Sequence, residues 1–435
     1  MVNKVAIIGA GPSGLLLAHY LLRRHHQYQI DIYERRSDPR GIPFDKTRTF
    51  PISLGERGMN ALRQIPGLEE AVKAVSLEIQ GSILHGKKGK TQVIKRKIPL
   101  ITLDRTNLAT VILEKLVEKY DNSRINIHFD CQCTEIDSAN KTIKFSQSTS
   151  SNNITEFTSN YDLLIGADGA RSVVREAFLN TDDFQFEKNY VPNAYKSIFL
   201  PNPDQIPGID LPKQKVHAWR INNGISILML HQIDGNMNGV ILFPYANNPI
   251  EQLANAEEVQ KFFQDNFPII GQLMPAFEAE EFAKRPISRV LTVRCNPYHL
   301  GDSVLLIGDA AHAVSPSIGQ GCNSALEDVL IFDKILDEYA DNLAQSLTEY
   351  SLRRQPDAFA LRELSDYSFP TSNHLFTEFI IRNTLAKILH QIFPKTFLPP
   401  IFESVFADDI PYREILHKYQ GWISKVKKIM TRNRE

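Results

Sequence analysis

The chain has 435 residues, 43% of them hydrophobic and 23% charged, with a formal net charge of −1 at pH 7. This is an ordinary globular composition, and a chain of this length is expected to fold into two or three structural regions. A charge so close to zero gives no reason to expect nucleic acid as a partner. The sequence shows no apolar run of roughly 20 residues that could cross a bilayer, and no signal-peptide pattern. We therefore expect a cytoplasmic protein without a transmembrane segment.

The cysteines and the C-terminal segment add two expectations. Cys131, Cys133, Cys295 and Cys322 form neither a disulfide framework nor a zinc-ligand spacing, which predicts reduced thiols and no metal site. The segment 413–435 is basic and amphipathic, which favours a surface helix with a solvated basic face. Peripheral contact of this helix with a membrane surface is the alternative.

The predicted elements begin with a strand at 5–8, a helix at 12–24 and a second strand that ends at Glu34. A helix near 55–63, short hairpins at 77–101, a helix at 107–120 and a strand at 124–129 follow. Residues 146–153 are predicted to form a polar hairpin loop or a small insertion. The next strand runs into Asp168. From about 184 to 245 the apolar period changes to two, which predicts an antiparallel sheet, and residues 251–267 are predicted to be helical. The α/β pattern then returns, and the last ninety residues are mostly helical.

The first glycine cluster lies between a predicted strand and a predicted helix. Gly9, Gly11 and Gly14 have the G-x-G-x-x-G spacing, which allows a tight turn, close approach of a pyrophosphate and close helix–strand packing. The helix N-terminus supplies free N–H groups to phosphates. Glu34 ends the second strand, where a carboxylate can bind both ribose hydroxyls of FAD or NAD. The candidate cofactor ligands here are Gly9, Gly11, Ser13, Gly14, Glu34 and Arg35.

Two further segments place an acid after a buried strand. Asp168-Gly169 follows "YDLLIGA", with Ser172 and Arg175 shortly after. An Asp-Gly pair is also a common turn, so a purely structural role is equally open for it. Asp309 ends "VLLIG", and a loop of small residues leads from it to another glycine-rich helix start at Gly319 and Gly321.

Together the segments G-A-G-P-S-G, D-G-A-R-S-V-V-R and G-D-A-A-H-A-V-S-P resemble the three fingerprints of the single-component (group A) FAD-dependent aromatic hydroxylases. The resemblance implies an FAD-dependent monooxygenase that uses NADPH or NADH as a transient reductant and O2. It further implies hydroxylation of an aromatic or electron-rich ring through a flavin C4a-hydroperoxide, with no acid–base residue doing the chemistry. The absence of a second G-x-G-x-x-G after a strand favours transient docking of the nicotinamide cofactor.

The resemblance also implies roles for individual residues. Asp309 would hold the ribityl chain, and the helix that begins near Gly319 would aim its positive end at the flavin ring, which favours the anionic reduced form. His312 is expected to have a structural role rather than that of a base. The further candidates are Arg48, Arg105, Asp168, Gly169, Asp309, Gly319, Gly321, Cys322 and Asn323 for the cofactor, and Arg48, Pro316, Ser317 and Ile318 as flavin-adjacent positions.

The expected fold is α/β, with a discontinuous Rossmann-like FAD-binding domain similar to that of p-hydroxybenzoate hydroxylase. We predict this domain at 1–75, 100–183 and 287–345. An interleaved antiparallel sheet that faces the substrate is predicted at 76–99 and 184–286, and a helical region at 346–435.

Within the family, segments such as "RTFPISLGERGMNAL" and "SLRRQPDAFALRELSDY" resemble the kynurenine 3-monooxygenase branch. There an arginine and a tyrosine are expected to bind the substrate carboxylate, but Ile79 or Ser82 and Val93 occupy those places here. A bidentate carboxylate fork cannot be built from these side chains. Pro316-Ser317-Ile318 likewise replaces an aromatic pair. The substrate candidates are Ile79, Val93, Phe243, Asn373 (or Thr377) and Tyr412.

The sequence therefore favours a monooxygenase with a different aromatic substrate, of the kind met in secondary metabolism. A true kynurenine 3-monooxygenase with a rearranged clamp is one alternative, with Lys87, Lys88, Lys90 or Arg96 supplying the charge. A flavoprotein that serves as a redox or binding module, without hydroxylase turnover, is the other.

Overall fold

The computed structural model describes residues 4–42, 51–86, 89–148, 154–221, 224–368, 373–397, 399–407 and 409–432. The candidates Arg48, Lys87 and Lys88 lie outside the described residues. Asn373 is described only as the first residue of a helix, without its side chain.

The strands of the described chain are β1 Lys4–Ile8, β2 Gln29–Tyr33, β3 Pro51–Leu54, β4 Leu77–His85, β5 Thr91–Asp104, β6 Ile125–His128, β7 Cys131–Asp137, β8 Thr142–Ser148, β9 Ile154–Asn160, β10 Leu163–Gly166, β11 Gln185–Leu200, β12 Val216–Arg220, β13 Ser226–His231, β14 Met237–Pro244, β15 Ser288–Asn296, β16 His299–Leu300 and β17 Val304–Leu306. Its α-helices are α1 Pro12–Arg24, α2 Glu56–Arg63, α3 Leu68–Ala74, α4 Arg105–Lys119, α5 Ala256–Asn266, α6 Pro268–Leu273, α7 Ala276–Lys284, α8 Asp309–His312, α9 Gly321–Glu338, α10 Leu343–Tyr367, α11 Asn373–Ile392, α12 Ile401–Phe406 and α13 Tyr412–Arg432.

The first layer is a six-stranded sheet with the order β16-β17-β10-β1-β2-β6, parallel except at β16. Apart from Lys4 at the start of β1, its central strands are apolar and buried, as expected for a sheet with both faces covered. Helix α1 packs against both α4 and α9. The α/β fold with a discontinuous Rossmann-like region is confirmed: β1, α1 and β2 come from the start of the chain, and β17 and α9 join them about 300 residues later.

The second layer is an eight-stranded sheet with the order β15-β11-β14-β13-β12-β4-β5-β3. One face carries a separate apolar core that packs against α5, α6 and α7, with side chains such as Ile198, Ile227 and Phe263. Two strands at its ends, β3 and β15, lie in segments that the sequence had assigned to the cofactor-binding region. They are hydrogen-bonded to β5 and β11, so the two layers share more of the chain than alternation patterns indicated.

A small antiparallel sheet of β7, β8 and β9 follows β6. The sequence predicted a polar hairpin loop or a small insertion at 146–153 in this region. Strands β8 and β9 pair on either side of that loop, and residues 149–153 of it lie outside the described part. Cys131 and Cys133 are buried free thiols in β7.

The C-terminal helices complete the molecule. The apolar face of α13 is buried: Ile415, Ile423 and Val426 are at most 2% exposed in a cluster with α10 and α12. That face is therefore covered, and peripheral membrane contact through the basic face stays a prediction. Within the described residues, no helix combines the length and the apolar character that crossing a membrane requires.

Candidate cofactor and substrate site

The carboxyl ends of four parallel strands meet at one edge of the six-stranded sheet. After β1, the Gly9 N–H donates to the Tyr33 carbonyl at the end of β2 (2.8 Å). The Ala167 N–H, just after β10, donates to the Ile8 carbonyl (2.9 Å), and the Ile307 N–H, just after β17, donates to the Gly166 carbonyl (3.0 Å). The three sequence motifs are thus neighbours in space, which is where open α/β sheets bind their ligands.

The three glycines of the first motif have different environments. Gly9 has a φ of +105°, and a Cβ there would lie 2.5 Å from the Ala167 carbonyl oxygen. A Cβ on Gly14 would lie 2.3 Å from the Gly9 carbonyl oxygen, so this position needs glycine for packing. A Cβ on Gly11 would meet nothing within 4 Å. Gly11 precedes the first turn of α1, and the open space beside it is where a phosphate can approach the free N–H groups of a helix N-terminus.

The acid at the end of β2 closes this loop. The Ala10 N–H donates to Glu34 Oε2 and the Arg36 N–H donates to Glu34 Oε1, both at 3.0 Å. Glu34 is thereby fixed beside the glycine turn, and its contact with a ribose stays a prediction, since a carboxylate oxygen can accept more than one hydrogen bond. Arg35 is exposed next to it.

Asp168 combines a structural oxygen with a free one. Its Oδ2 accepts from the Val173 N–H (2.7 Å) and caps the 3₁₀ helix Val174–Asn180, while Oδ1 is buried and has no partner among the described residues. Burial raises the pKa of Asp168 above its ordinary value, and the hydrogen bonds from Ser172 and Val173 only partly oppose this. Gly169 follows with a φ of +83° and open space at its Cβ position. A buried acceptor without a partner at this edge fits a ligand with hydroxyl groups.

Arg175 of the same motif joins the second segment to the third. Its guanidinium donates to the Ala310 carbonyl (2.7 Å) and the Ala170 carbonyl (2.9 Å), and it lies over the ring of Phe186. It therefore holds the Asp168 turn against the turn that carries Asp309.

Asp309 is exposed, although the residues on both sides of it, Gly308 and Ala310, are buried. A Cβ on Gly308 would lie 3.0 Å from Ser13 Oγ, so the Asp309 turn lies against the start of α1. Ser13 itself is buried, 8% exposed. An exposed carboxylate in an otherwise buried turn, next to the glycine loop, is suited to accept hydrogen bonds from a polyol chain.

His312 has the structural role that the sequence favoured. Asp328 of α9 accepts from the His312 ring at 2.7 Å, from the Gly308 N–H at 2.7 Å and from the Arg354 Nε at 2.6 Å. Burial alone would raise the pKa of Asp328, but its interactions with His312 and Arg354 outweigh burial and lower the pKa. This buried network holds Gly308 and His312 and thereby positions the turn that carries Asp309. The sequence patterns did not identify Asp328 or Arg354.

The start of α9 is built from small residues and one amide. Gly319 has a φ of +66°, and Gly321 opens the helix, whose first N–H groups have no intrahelical partner. Asn323 accepts from the Gly55 N–H (2.8 Å) and donates to the Ser53 carbonyl (2.9 Å). Its side chain thus ties α9 to β3 and α2, which leaves only its backbone for a cofactor.

Arg105 is the one predicted arginine near this helix that the structure describes. It is the first residue of α4. Burial raises the pKa of the Cys322 thiol to about 12. The charge of Arg105 acts to lower that pKa, and the charge of Asp309 acts to raise it. Tyr195 of β11 is also within electrostatic reach of Arg105, and burial raises its pKa. Asp309 and Arg105 therefore both lie within electrostatic reach of Cys322, and Arg105 also lies within reach of Tyr195, which the sequence did not identify.

The face of the large sheet opposite α5–α7 lies next to the start of α4, where Arg105 stands. Asn238 of β14 donates to Asp104 Oδ2, immediately before Arg105 (3.1 Å). Leu228 and Val240 are paired side by side on the same face, and Leu242 follows. All three leucine and valine side chains are only partly buried. An apolar face with unused contact area next to Arg105 fits an aromatic ring.

The predicted substrate residues are only partly brought together. The assignment of Phe243 to the substrate is wrong. Phe243 is fully buried in the core against α5–α7, because its place in β14 points it away from the cofactor edge. Val93 is 53% exposed on β5, and its contact with a substrate stays a prediction. Ile79 does lie in the apolar cluster that contains Ile318 and Tyr412.

The remaining candidates are described by their contacts. Tyr412 is buried, its hydroxyl donates to Gln320 Oε1 (2.8 Å), and Arg57 lies over its ring, so it fixes the start of α9 rather than a ligand. Pro316 and Ser317 are exposed, and the Ser317 hydroxyl donates to the Ser365 carbonyl. Asn373 is the first residue of α11, and its contact with a substrate stays a prediction.

The residues present therefore fit FAD. An open cradle at Gly11, an unpartnered acceptor on Asp168, an exposed acid at Asp309 and a free helix start at Gly321 lie along one edge. Together they can bind a long cofactor at both ends. Within the described part of the chain, no cluster of three or more His, Cys, Asp or Glu side chains could hold a metal ion.

Comparison with known proteins gives the same class. Residues 3–364 match the family model described as FAD binding domain. The chain is 31% identical over 427 residues to kynurenine 3-monooxygenase of Drosophila willistoni, which covers 95% of this chain and 89% of the relative. It is 29% identical to the pig enzyme of the same name over 433 residues, with 98% and 88% covered. A tetrameric form of 2-methyl-3-hydroxypyridine-5-carboxylic acid oxygenase superimposes with a TM-score of 0.67 at 18% identity, covering 84% of this chain and 91% of that one.

The fold and the site define an FAD-dependent monooxygenase. The chain belongs to the FAD-dependent aromatic hydroxylase family and is close to kynurenine 3-monooxygenase, with FAD as cofactor and NAD(P)H as reductant.

Proposed function

We propose that this protein hydroxylates an aromatic or electron-rich small molecule other than kynurenine. The observation that carries the proposal is the side chain at the position where the kynurenine branch is expected to have a carboxylate-binding arginine. Ile79 is 0% exposed there and packs in an apolar cluster. Its expected partner position, Val93, is 53% exposed on the sheet. A site that lacks a polar contact its substrate needs can lose on the order of 10⁴-fold or more in discrimination.

When bound, FAD supplies electrons from NAD(P)H for the activation of O2, so that one oxygen atom can enter the substrate. The residues of the chain bind and orient. Asp309 and the turn at Gly11 hold the cofactor, and the start of α9 offers N–H groups to its ring. The apolar pair Leu228 and Val240 excludes water and positions an aromatic ring. No side chain is assigned as a general acid or base.

The test is NAD(P)H consumption by the FAD-loaded protein across a panel of aromatic compounds that includes kynurenine, with product analysis by mass spectrometry. We expect at least one aromatic compound to raise NAD(P)H oxidation and to yield a product with one added oxygen atom. We expect kynurenine to give little hydroxylated product. Efficient conversion of kynurenine would overturn the proposal in favour of a kynurenine 3-monooxygenase with a rearranged clamp. Slow oxidation that no compound stimulates, without product, would favour a redox or binding module.

A further inference from the structure

Strand β5 carries an insertion next to the substrate side of the sheet. Gly81 of β4 pairs with Lys95, but Ile79, two residues earlier, pairs with Leu100, so the partners on β5 are five residues apart. Residues 96–99 lie opposite the single residue Gln80, so they cannot follow the ladder and must bulge from it. Bulges of this kind redirect a side chain out of the regular alternation. The first side chain of the bulge is Arg96.

Arg96 is directed toward the loop that begins α9. Its guanidinium carbon lies 4.8 Å from the centre of the Phe406 ring. That ring is 7% exposed and belongs to the apolar cluster of Ile79 and Ile318. A Cβ placed on Gly319 would lie 3.7 Å from Phe406 Cζ. One phenylalanine ring therefore lies next to Arg96 and also next to the space beside Gly319, which precedes the cofactor-binding helix.

The guanidinium of Arg96 has no hydrogen bond or ion pair with any described residue, although it is partly buried. Burial lowers its pKa, and Glu403 opposes this from a distance without forming an ion pair. The fully buried arginines behave differently. Arg57 and Arg354 pair with Glu327, Arg285 pairs with Glu278, and Arg175 donates to two carbonyls. A desolvated guanidinium with five unused N–H donors favours an anion.

We propose that Arg96 binds an anionic group of the substrate, a carboxylate being the simplest, against the ring of Phe406. The inference rests on the proposed function and deepens it, because it assigns the substrate a charge and a position for that charge. The planar fork of arginine can take a carboxylate in two parallel hydrogen bonds, and the Phe406 ring beneath it fixes the plane of the fork. The acid would thus be held from the bulge of β5 and not from the Ile79 position on β4. Together with the proposed function, this assignment implies a substrate whose acid is placed differently, relative to the ring, from that of kynurenine.

The experiment uses FAD-loaded protein and matched pairs of ligands: aromatic acids and their primary amides, such as 2-aminobenzoate with 2-aminobenzamide and kynurenine with its amide. Binding is followed by the change in flavin absorbance. We expect the wild type to bind at least one acid about tenfold or more tightly than its amide, as one charge-assisted bidentate contact provides. In Arg96→Met this ratio should fall close to one, and Arg96→Lys should keep part of it. Lys97→Met, which removes an exposed charge from the same bulge, is the matched control and should keep the ratio.

FAD content and thermal unfolding are measured for each variant, so that a folding defect is recognised, and Arg96→Lys then serves as the interpretable variant. Equal binding of acids and amides by the wild type, a ratio that persists in Arg96→Met, or no flavin response to any acid would each overturn the inference. Turnover is measured separately on the tightest-binding ligand. An Arg96-dependent preference for acids without hydroxylated product would contradict the proposed function alone, and hydroxylation without that preference would contradict the Arg96 assignment alone.

Discussion

Asp309 shows at the residue scale how a buried strand delivers one exposed charge. Its neighbours Gly308 and Ala310 are buried, and the Gly308 N–H donates to Asp328 (2.7 Å), so the backbone that carries the carboxylate is held in place. Substitution of Asp309 by Ala removes an acceptor for the ribityl hydroxyls without disturbing this network. Because hydrogen bonds to charged groups contribute about 1.5–3 kcal/mol, we expect FAD affinity to fall roughly 10- to 100-fold. The ratio of flavin absorbance to protein absorbance after purification measures the loss.

The matched control is Asp302→Ala. Asp302 is an exposed acid in the turn before β17, where it pairs with Lys141 at 3.4 Å. An exposed pair of this kind contributes about 1 kcal/mol or less, so FAD content should stay at the wild-type level. An Asp309→Ala protein that kept its full flavin would show that Asp309 does not hold the cofactor.

At the scale of the element, the β1–α1 turn separates the two functions of a glycine motif. Gly14→Ala would place a methyl group 2.3 Å from the Gly9 carbonyl oxygen, and we expect the free energy of unfolding to fall by about 2 kcal/mol or more because the helix must move. Gly11→Ala meets no atom within 4 Å and has a φ of −76°, so the FAD-free protein should keep its stability. The new methyl group would occupy space next to the phosphates, and FAD should bind more weakly. Thermal unfolding with and without added FAD distinguishes the two effects.

Gly11→Ala is the informative variant of the pair. A Gly11→Ala protein that binds FAD as the wild type does would show that the pyrophosphate does not approach this position. A Gly14→Ala protein of unchanged stability would show instead that α1 can shift away from β1 at little cost.

The same scale shows what the sequence could and could not predict. The limits 12–24 of α1 were predicted correctly because a glycine turn, a proline in the first turn and an apolar face all mark one helix. Phe243 was assigned to the substrate, although it lies in the core against α5–α7. Alternation along β14 shows that every second residue shares a face, but not which layer covers that face. The bulge that redirects Arg96 depends on the register between β4 and β5, which no local pattern encodes.

The whole molecule has several buried histidines far from the cofactor edge. His217 is 0% exposed, its Nε2–H donates to the Pro212 carbonyl (3.1 Å), and its Nδ1 accepts from His85 (2.9 Å). A proton added to Nδ1 would face the His85 N–H. His19 is 1% exposed, and its ring bonds to the Ile112 carbonyl (3.0 Å). Burial lowers the pKa of both His19 and His217 to about 4, and the backbone hydrogen bonds only partly oppose it.

These two groups predict how stability depends on pH. In the unfolded chain each histidine takes up a proton near its ordinary pKa of about 6.5, whereas the folded protein resists protonation down to about pH 4. The unfolded state therefore binds more protons in this window, so stability is full above pH 6.5 and is lost as the pH falls toward 4. We expect each histidine to lower the free energy of unfolding by roughly 2 kcal/mol at pH 5, relative to its value above about pH 6.5. Chemical denaturation of the FAD-loaded protein from about pH 8 to about pH 5 measures the slope, which His217→Gln should reduce. His26 is exposed, so His26→Gln is the control and should leave the slope unchanged. An unchanged slope in His217→Gln would show that His217 is not the group that titrates.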